Sequence, residues 1–210
     1  MKRLLIVIGL IALITSGLIL RNQTQASAPT TLYTYLPIVL SGNNVNTDFE
    51  LCNFVSWEPE TNALNATMTI TTTNSHTGKC SAYYQNNALD TQAIYHLAHD
   101  RFQVQPGQHW AVSGWANLVN TGNYGVVGLV VDWYDEQDGL VDEYQVGWLE
   151  GAVGWFKLCS QIILPDGTLA CPPFTVPERA VSAQPTWIFV KDFEERLRAY
   201  VDDLQFTLVP

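Results

Sequence analysis

Ala66-Thr-Met-Thr-Ile-Thr-Thr-Thr73 is the stretch that decides the fold. It sets Ala66, Met68 and Ile70 in alternation with threonines, the period-two pattern of a half-buried strand, and it is rich in β-branched residues that suit a pleated surface. Working outward, further strand-like runs are Phe49–Phe54, Cys80–Gln85, Ala93–His99, Trp110–Leu118, Tyr124–Tyr134, Val141–Val146, Trp155–Leu164, Trp187–Val190 and Leu197–Leu208. Turn signals separate them: Thr77-Gly78, Pro106-Gly107, Thr121-Gly122-Asn123, Asp138-Gly139 and Pro165-Asp166-Gly167. No stretch of eleven residues carries a helical period, and only Ala88–His99 and Asp192–Arg198 leave room for a short helix. About ten short strands at this spacing predict an all-β chain: a jelly-roll β-sandwich of two antiparallel sheets.

The N-terminus has a different character. Lys2-Arg3 precede the uncharged run Leu4–Leu20, and a polar stretch after Arg21 ends in Ala26-Ser27-Ala28, the pattern of an export signal. The apolar run is long for a signal and short for a membrane span, and Pro29 disfavours cleavage, so a retained anchor stays open beside a cleaved signal. Either form places the remainder outside the cytoplasm. Residues 29–45, rich in Thr, Pro, Gly and Asn around Tyr33–Leu40, read as a linker, and 46–210 as one domain long enough to bury a core. Ten basic residues face twenty acidic ones, and removing 1–28 would take away three of the ten. So few, scattered cations exclude nucleic acid as a partner.

Four cysteines in an exported chain point to disulfides, and no C-x-x-C pair suggests zinc. Cys159 and Cys171 flank Leu164-Pro165-Asp166-Gly167, a turn that folds their arms together, which favours that pair and leaves Cys52 with Cys80 by elimination.

Five stretches, in order, resemble the galactose-binding-like jelly roll of CenC-type carbohydrate-binding modules. These are Asn46-Thr-Asp-Phe-Glu50 followed by Trp57, Ser75-His-Thr-Gly-Lys-Cys-Ser-Ala82, Phe102-Gln-Val-Gln-Pro-Gly-Gln-His-Trp-Ala-Val-Ser-Gly-Trp115, Gly154-Trp155, and Tyr200-Val-Asp-Asp-Leu204. The resemblance spans nearly all of 46–210 and implies a non-catalytic, sugar-binding module with a structural calcium ion. Carried over by position, the calcium ligands would be Glu50, the backbone oxygen of Lys79, and Asp202, with Asp48 as an extra. Hard carboxylate and carbonyl oxygens are what Ca²⁺ requires.

Flat C–H faces of sugar rings stack on indole and phenol rings, so the aromatic residues carry the functional case. Trp57 and Trp155 are expected in the core. Trp110 and Trp115 lie five apart on one strand and therefore on opposite faces, and adjacent Trp133 and Tyr134 must also diverge. The expected stacking platforms are Trp115, Trp133, Tyr134, Tyr144 and Trp148. The acidic group Asp132, Asp135, Glu136, Asp138, Asp142 and Glu143 lacks EF-hand spacing and reads as a solvated turn between strands. His96 and His99, three apart on a strand, point to opposite faces and do not make a metal pair. No Gly-x-Ser-x-Gly elbow supports a hydrolase nucleophile. The chain is therefore expected to be a secreted or cell-surface bacterial protein, not an enzyme, that binds a polysaccharide or surface glycan. The rival expectations are an adhesion or protein-contact sandwich, and a small glycoside hydrolase using the Asp132–Glu143 cluster.

Overall fold

The computed structural model describes residues 46–60, 65–89, 92–119, 125–163, 169–192 and 196–210. Within them run β1 (Trp57–Pro59), β2 (Ala66–Thr71), β3 (Ser81–Asn86), β4 (Ala93–His99), β5 (Phe102–Gln103), β6 (His109–Leu118) and β7 (Val126–Tyr134). They are followed by β8 (Leu140–Glu150), β9 (Gly154–Cys159), β10 (Ile162–Ile163), β11 (Leu169–Ala170), β12 (Phe174–Thr175), β13 (Ser182–Lys191) and β14 (Leu197–Val209). The first sheet has the order β1-β4-β13-β7-β8, with β5 also on β13, and the second the order β12-β6-β14-β3-β2, with β9 also on β6. Every strand pair in the two sheets is antiparallel. β10 and β11 form a small separate hairpin. The described residues contain no helix; of the two segments left open as helical, 93–99 is β4 and 197–198 open β14, while 90–91 and 193–195 lie outside the described residues.

Alternation builds the core. On β7, Val127, Leu129, Val131 and Trp133 point inward and are buried. They meet Trp110, Val112 and Ala116 of β6, Trp187 and Phe189 of β13, and Ala199 and Val201 of β14. Tyr84 stacks on Phe189 at 4.5 Å between centroids. The Trp187 ring of the first sheet packs closely on Gly114 of the second, where an added Cβ would lie 2.5 Å from Trp187 Cζ2 and 2.7 Å from its Cη2. Trp187 is fully buried and has nowhere to go. Gly114→Ala is therefore expected to lower the unfolding free energy by about 1–3 kcal/mol, read from chemical denaturation.

Several elements depart from the sequence expectation. Phe49–Phe54 is not a strand but a series of turns, with positive φ at Phe49 and Cys52 and again at Ser56 just beyond it. The strand in this region is β1, which pairs with β4 through Trp57↔His99. β13 begins at Ser182 and runs through Pro185, which sequence rules place at sheet edges because proline cannot donate to a ladder. Pro185 is tolerated because it falls at the step between β4, whose pairing begins at Thr186↔Ala98, and β5, which pairs with Ser182 and Ala183. The orphaned acceptor nearby, His99 O, is served by Gln184 Nε2 at 3.0 Å instead.

Both expected disulfides are present, Cys52–Cys80 and Cys159–Cys171. The turn at 165–167 that favoured the second, the turn at 121–123, the export signal and the linker all lie outside the described residues.

Candidate functional site

Antiparallel partners share a face, so the register identifies what the first sheet shows to solvent. On the side away from the core are Glu58 of β1, Ile94, His96 and Ala98 of β4, and Gln184, Thr186 and Ile188 of β13. They continue into Gly128, Val130, Asp132 and Tyr134 of β7, and Glu143, Gln145 and Trp148 of β8. Val130 and Thr186 face away from the core and are nevertheless buried, so the middle of this face is recessed beneath its neighbours. From Gly128 to Tyr134 it extends about 20 Å along the strand.

Trp148 stands at one end, 41% exposed. Its indole lies over Gly128, so closely that a Cβ there would overlap the ring. A glycine on β7 is what lets the large ring lie across the neighbouring strand instead of standing away from it. Trp148 Nε1 donates to Gln145 Oε1 at 3.3 Å, which fixes the ring's orientation. At the other end the Arg101 guanidinium lies 3.7 Å from the Tyr134 ring centroid and donates to Asp138 Oδ1 at 2.6 Å. Tyr134 Oη donates to Gln184 Oε1 at 3.4 Å. Between the ends, Asp132 is half-buried, and burial, followed by the Glu143 charge, pushes its carboxyl up to about 6. Across β13, His96 Nδ1 lies 3.1 Å from Glu60 Oε2. A solvent-facing ring, recessed amides and hydroxyls, and separate charged groups give this face both stacking and hydrogen-bonding capacity.

The five expected platforms do not converge. Trp148 and Tyr134 lie at opposite ends of the first sheet's outer face, though Arg101 already covers one side of the Tyr134 ring. Trp133 is 1% exposed in the core, edge-on to Phe174, and cannot meet a ligand. Tyr144 pairs with inward-facing Val131, packs on Phe174 at 4.6 Å and donates to Ser160 Oγ at 2.6 Å, so it is a wall of the core, not an exposed ring. β8 carries an extra residue between its partners of Leu129 and Val130, a bulge that separates Tyr144 from Trp148 in facing. Trp115 is on the outer face of the second sheet, with His76 stacked on it at 3.8 Å. Trp155, expected in the core, is half-buried on that same outer face, donating to Asn74 Oδ1 at 3.2 Å. Trp57 and Trp110 are buried.

The turn expected among the acidic residues is present as the hairpin connection Asp135–Gly139, where Asp135 Oδ1 accepts the N–H groups of Gln137 and Gly139, and Asp132 lies before it on β7. His96 is exposed and His99 buried, on opposite faces as expected. Gln145 and Gln184 lie in no motif, and only strand register could have placed them here; Arg101 borders the Phe102–Trp115 block but stands between β4 and β5, where that motif assigns it no role.

The residues proposed for calcium surround the loop 74–80. Glu50 accepts from the N–H groups of Lys79 at 2.8 Å and Cys80 at 3.1 Å. Asp202, fully buried, accepts from His76 N–H at 2.8 Å and Asp203 N–H at 2.9 Å. Burial first of all, with the neighbouring Asp203 charge, pushes the Asp202 carboxyl up to about 7 against the backbone N–H groups that favour its charged form. Asp48 Oδ1 is spent on the N–H of Glu50. No three His, Cys, Asp or Glu side chains of the described residues converge as metal ligands. Two carboxylates around one loop are nonetheless hard oxygen donors of the kind Ca²⁺ takes, with backbone carbonyls to complete the set.

No protein-family model and no curated protein matches the chain. Solved structures do. The C-terminal family 22 carbohydrate-binding module of Clostridium thermocellum Xyn10B superposes with a TM-score of 0.53 at 12% identity, covering 80% of this chain and 97% of that one. The CBM22-1 xylan-binding domain of Paenibacillus barcinonensis Xyn10C gives 0.53 at 16% identity, covering 78% and 92%. The enzymatically active domain of bacteriophage CBA120 tailspike protein 4 gives 0.57 at 15% identity, covering 78% of this chain but only 21% of that one. At these identities the likeness is one of fold: a β-sandwich of the architecture used by carbohydrate-binding modules.

Proposed function

We propose that the chain is an exported, non-catalytic carbohydrate-binding module that takes up a polysaccharide or surface glycan on the outer face of the first sheet. The observation that carries this is Trp148, an indole laid over Gly128 and open to solvent beside a floor of buried Val130 and Thr186 and the half-buried Gln184 amide. Sites of this type combine an apolar or aromatic surface with a few fixed polar groups. The likeness in fold to modules described as binding xylan supports the same reading, and two disulfides suit an oxidising compartment. A calcium ion held by Glu50, the Lys79 carbonyl and Asp202 would be structural, offsetting the buried Asp202 charge far from the proposed binding face, on the other sheet.

Retention of the purified protein on a panel of insoluble and soluble polysaccharides, with calcium and with EDTA, tests both proposals. Binding to one polymer class is expected, with no release of soluble sugar. EDTA should lower the melting temperature while leaving binding of the folded protein intact. Absence of retention on every polymer by a cooperatively folded sample would overturn the sugar reading, and an unchanged melting temperature would overturn the calcium one.

A further inference from the structure

Asp132 and Glu143 are direct cross-strand partners in the β7–β8 ladder, on the solvent side of the first sheet. Like charges placed opposite each other destabilise a sheet, and among the described residues neither carboxyl has a hydrogen-bond or ion-pair partner. The nearby cationic groups act on Asp132 only at a distance, and their direct contacts are with other residues. Arg101 is held by Asp138 and the Tyr134 ring, and His96 faces Glu60. The Gln184 amide, next across on β13, is bonded to His99 O and Tyr134 Oη. Glu58 adds a further carboxylate to the same face.

Resting on the reading that this face binds sugar, we infer that it selects neutral glycans over uronate-bearing ones, with Asp132 and Glu143 setting the selection. A uronate seated between Trp148 and Tyr134 would come against the half-buried Asp132 carboxyl and the exposed Glu143 carboxyl beside it, neither of which has a direct cationic partner among the described residues. The hydroxyls of a neutral sugar would instead find acceptors there. The charged groups facing Asp132 are Glu143 from β8, His96 from β4 and Arg101 after β4, and burial with the Glu143 charge holds the Asp132 carboxyl up at about 6. Below that pH Asp132 loses its charge while a uronate keeps its own, so the discrimination should weaken on acidification.

The test uses glucuronoxylan and polygalacturonan, each beside its carboxyl-reduced form, so that backbone is constant and only charge changes. At pH 8 and low salt the reduced form of the bound polymer is expected to be held about tenfold tighter or more. The gap should shrink at pH 5, at high salt, and in Asp132→Asn/Glu143→Gln. Equal or tighter binding of the acidic form would overturn the inference and leave the sugar-binding proposal standing. A gap that persists undiminished in the folded double variant, or at pH 5, would overturn the assignment to these carboxyls. Retention of no polymer of either kind would overturn the proposal on which the inference rests.

Discussion

Trp148→Ala is expected to weaken polysaccharide binding about tenfold or more while leaving the melting temperature within a degree or two. The ring is exposed, touches no part of the core, and is held by one hydrogen bond to Gln145, so its removal costs the fold little. What it would contribute to a ligand is a stacking surface, and aromatic contacts of this kind are worth about 0.5–1.5 kcal/mol beyond the apolar area they bury. Gly128→Ala gives the same result by a different route. The new methyl would occupy the space of the indole, and because that ring is free on its outer side it can lift away without straining the sandwich. Affinity should fall although Trp148 is still present. Trp133→Ala has the opposite signature: a buried ring is lost, stability falls by about 3–5 kcal/mol, and whatever fraction stays folded should bind as before. Isothermal titration beside thermal unfolding separates the three. Full affinity in both Trp148→Ala and Gly128→Ala would place the ligand elsewhere.

The strands were legible because alternation and turn residues are local signals. Ala66–Thr71, Ala93–His99 and Leu197–Val209 follow directly from them. What alternation cannot supply is which face is which when a strand is apolar on both. β7 reads Val-Val-Gly-Leu-Val-Val-Asp-Trp-Tyr, and only its pairing with β13 and β8 shows Val130 and Asp132 outward and Trp133 inward. Tyr144 and Trp148 are four apart and would share a face on a regular strand. The bulge at Val146 between them reverses one, and nothing in the residues announces it. Polar surroundings suggested exposure for Tyr144, yet its ring covers Phe174 at the sandwich edge. The site was therefore legible as an aromatic-rich chain and not as a place. Gln145, Gln184 and Thr186 are residues whose chemistry is ordinary until register brings them to one face.

The opening segment is where local signals misled, and it explains why the second large effect should come from a crosslink. Residues 46–56 form no strand of their own, and two backbone bonds join them to the sheets: Leu204 N–H to Thr47 O at 3.0 Å and Asp100 N–H to Ser56 O at 2.8 Å. Their order comes from Phe49, fully buried and stacked on Trp57 at 4.8 Å, from Asn46 bonded to Asn53 O and Leu51 N–H, and from Glu50 capping Lys79 and Cys80. Three non-glycine residues at positive φ add strain that a strand would not have. Cys52–Cys80 ties this segment to the start of β3 across a separation of 28 residues. In the chain-entropy account a loop of that size is worth about 3–4 kcal/mol. Cys52→Ser/Cys80→Ser is accordingly expected to lower the unfolding free energy by about that amount. The loss should not be uniform. With the tether gone, 46–56 can leave the sandwich before the strands separate, taking Glu50 from the loop 74–80, so amide exchange at Lys79 and Cys80 should accelerate ahead of exchange in β6 and β14. Any stabilisation by calcium should vanish in the same variant. Equal acceleration across all three regions would mean that the opening segment unfolds only with the whole, and that the crosslink acts on the unfolded chain alone.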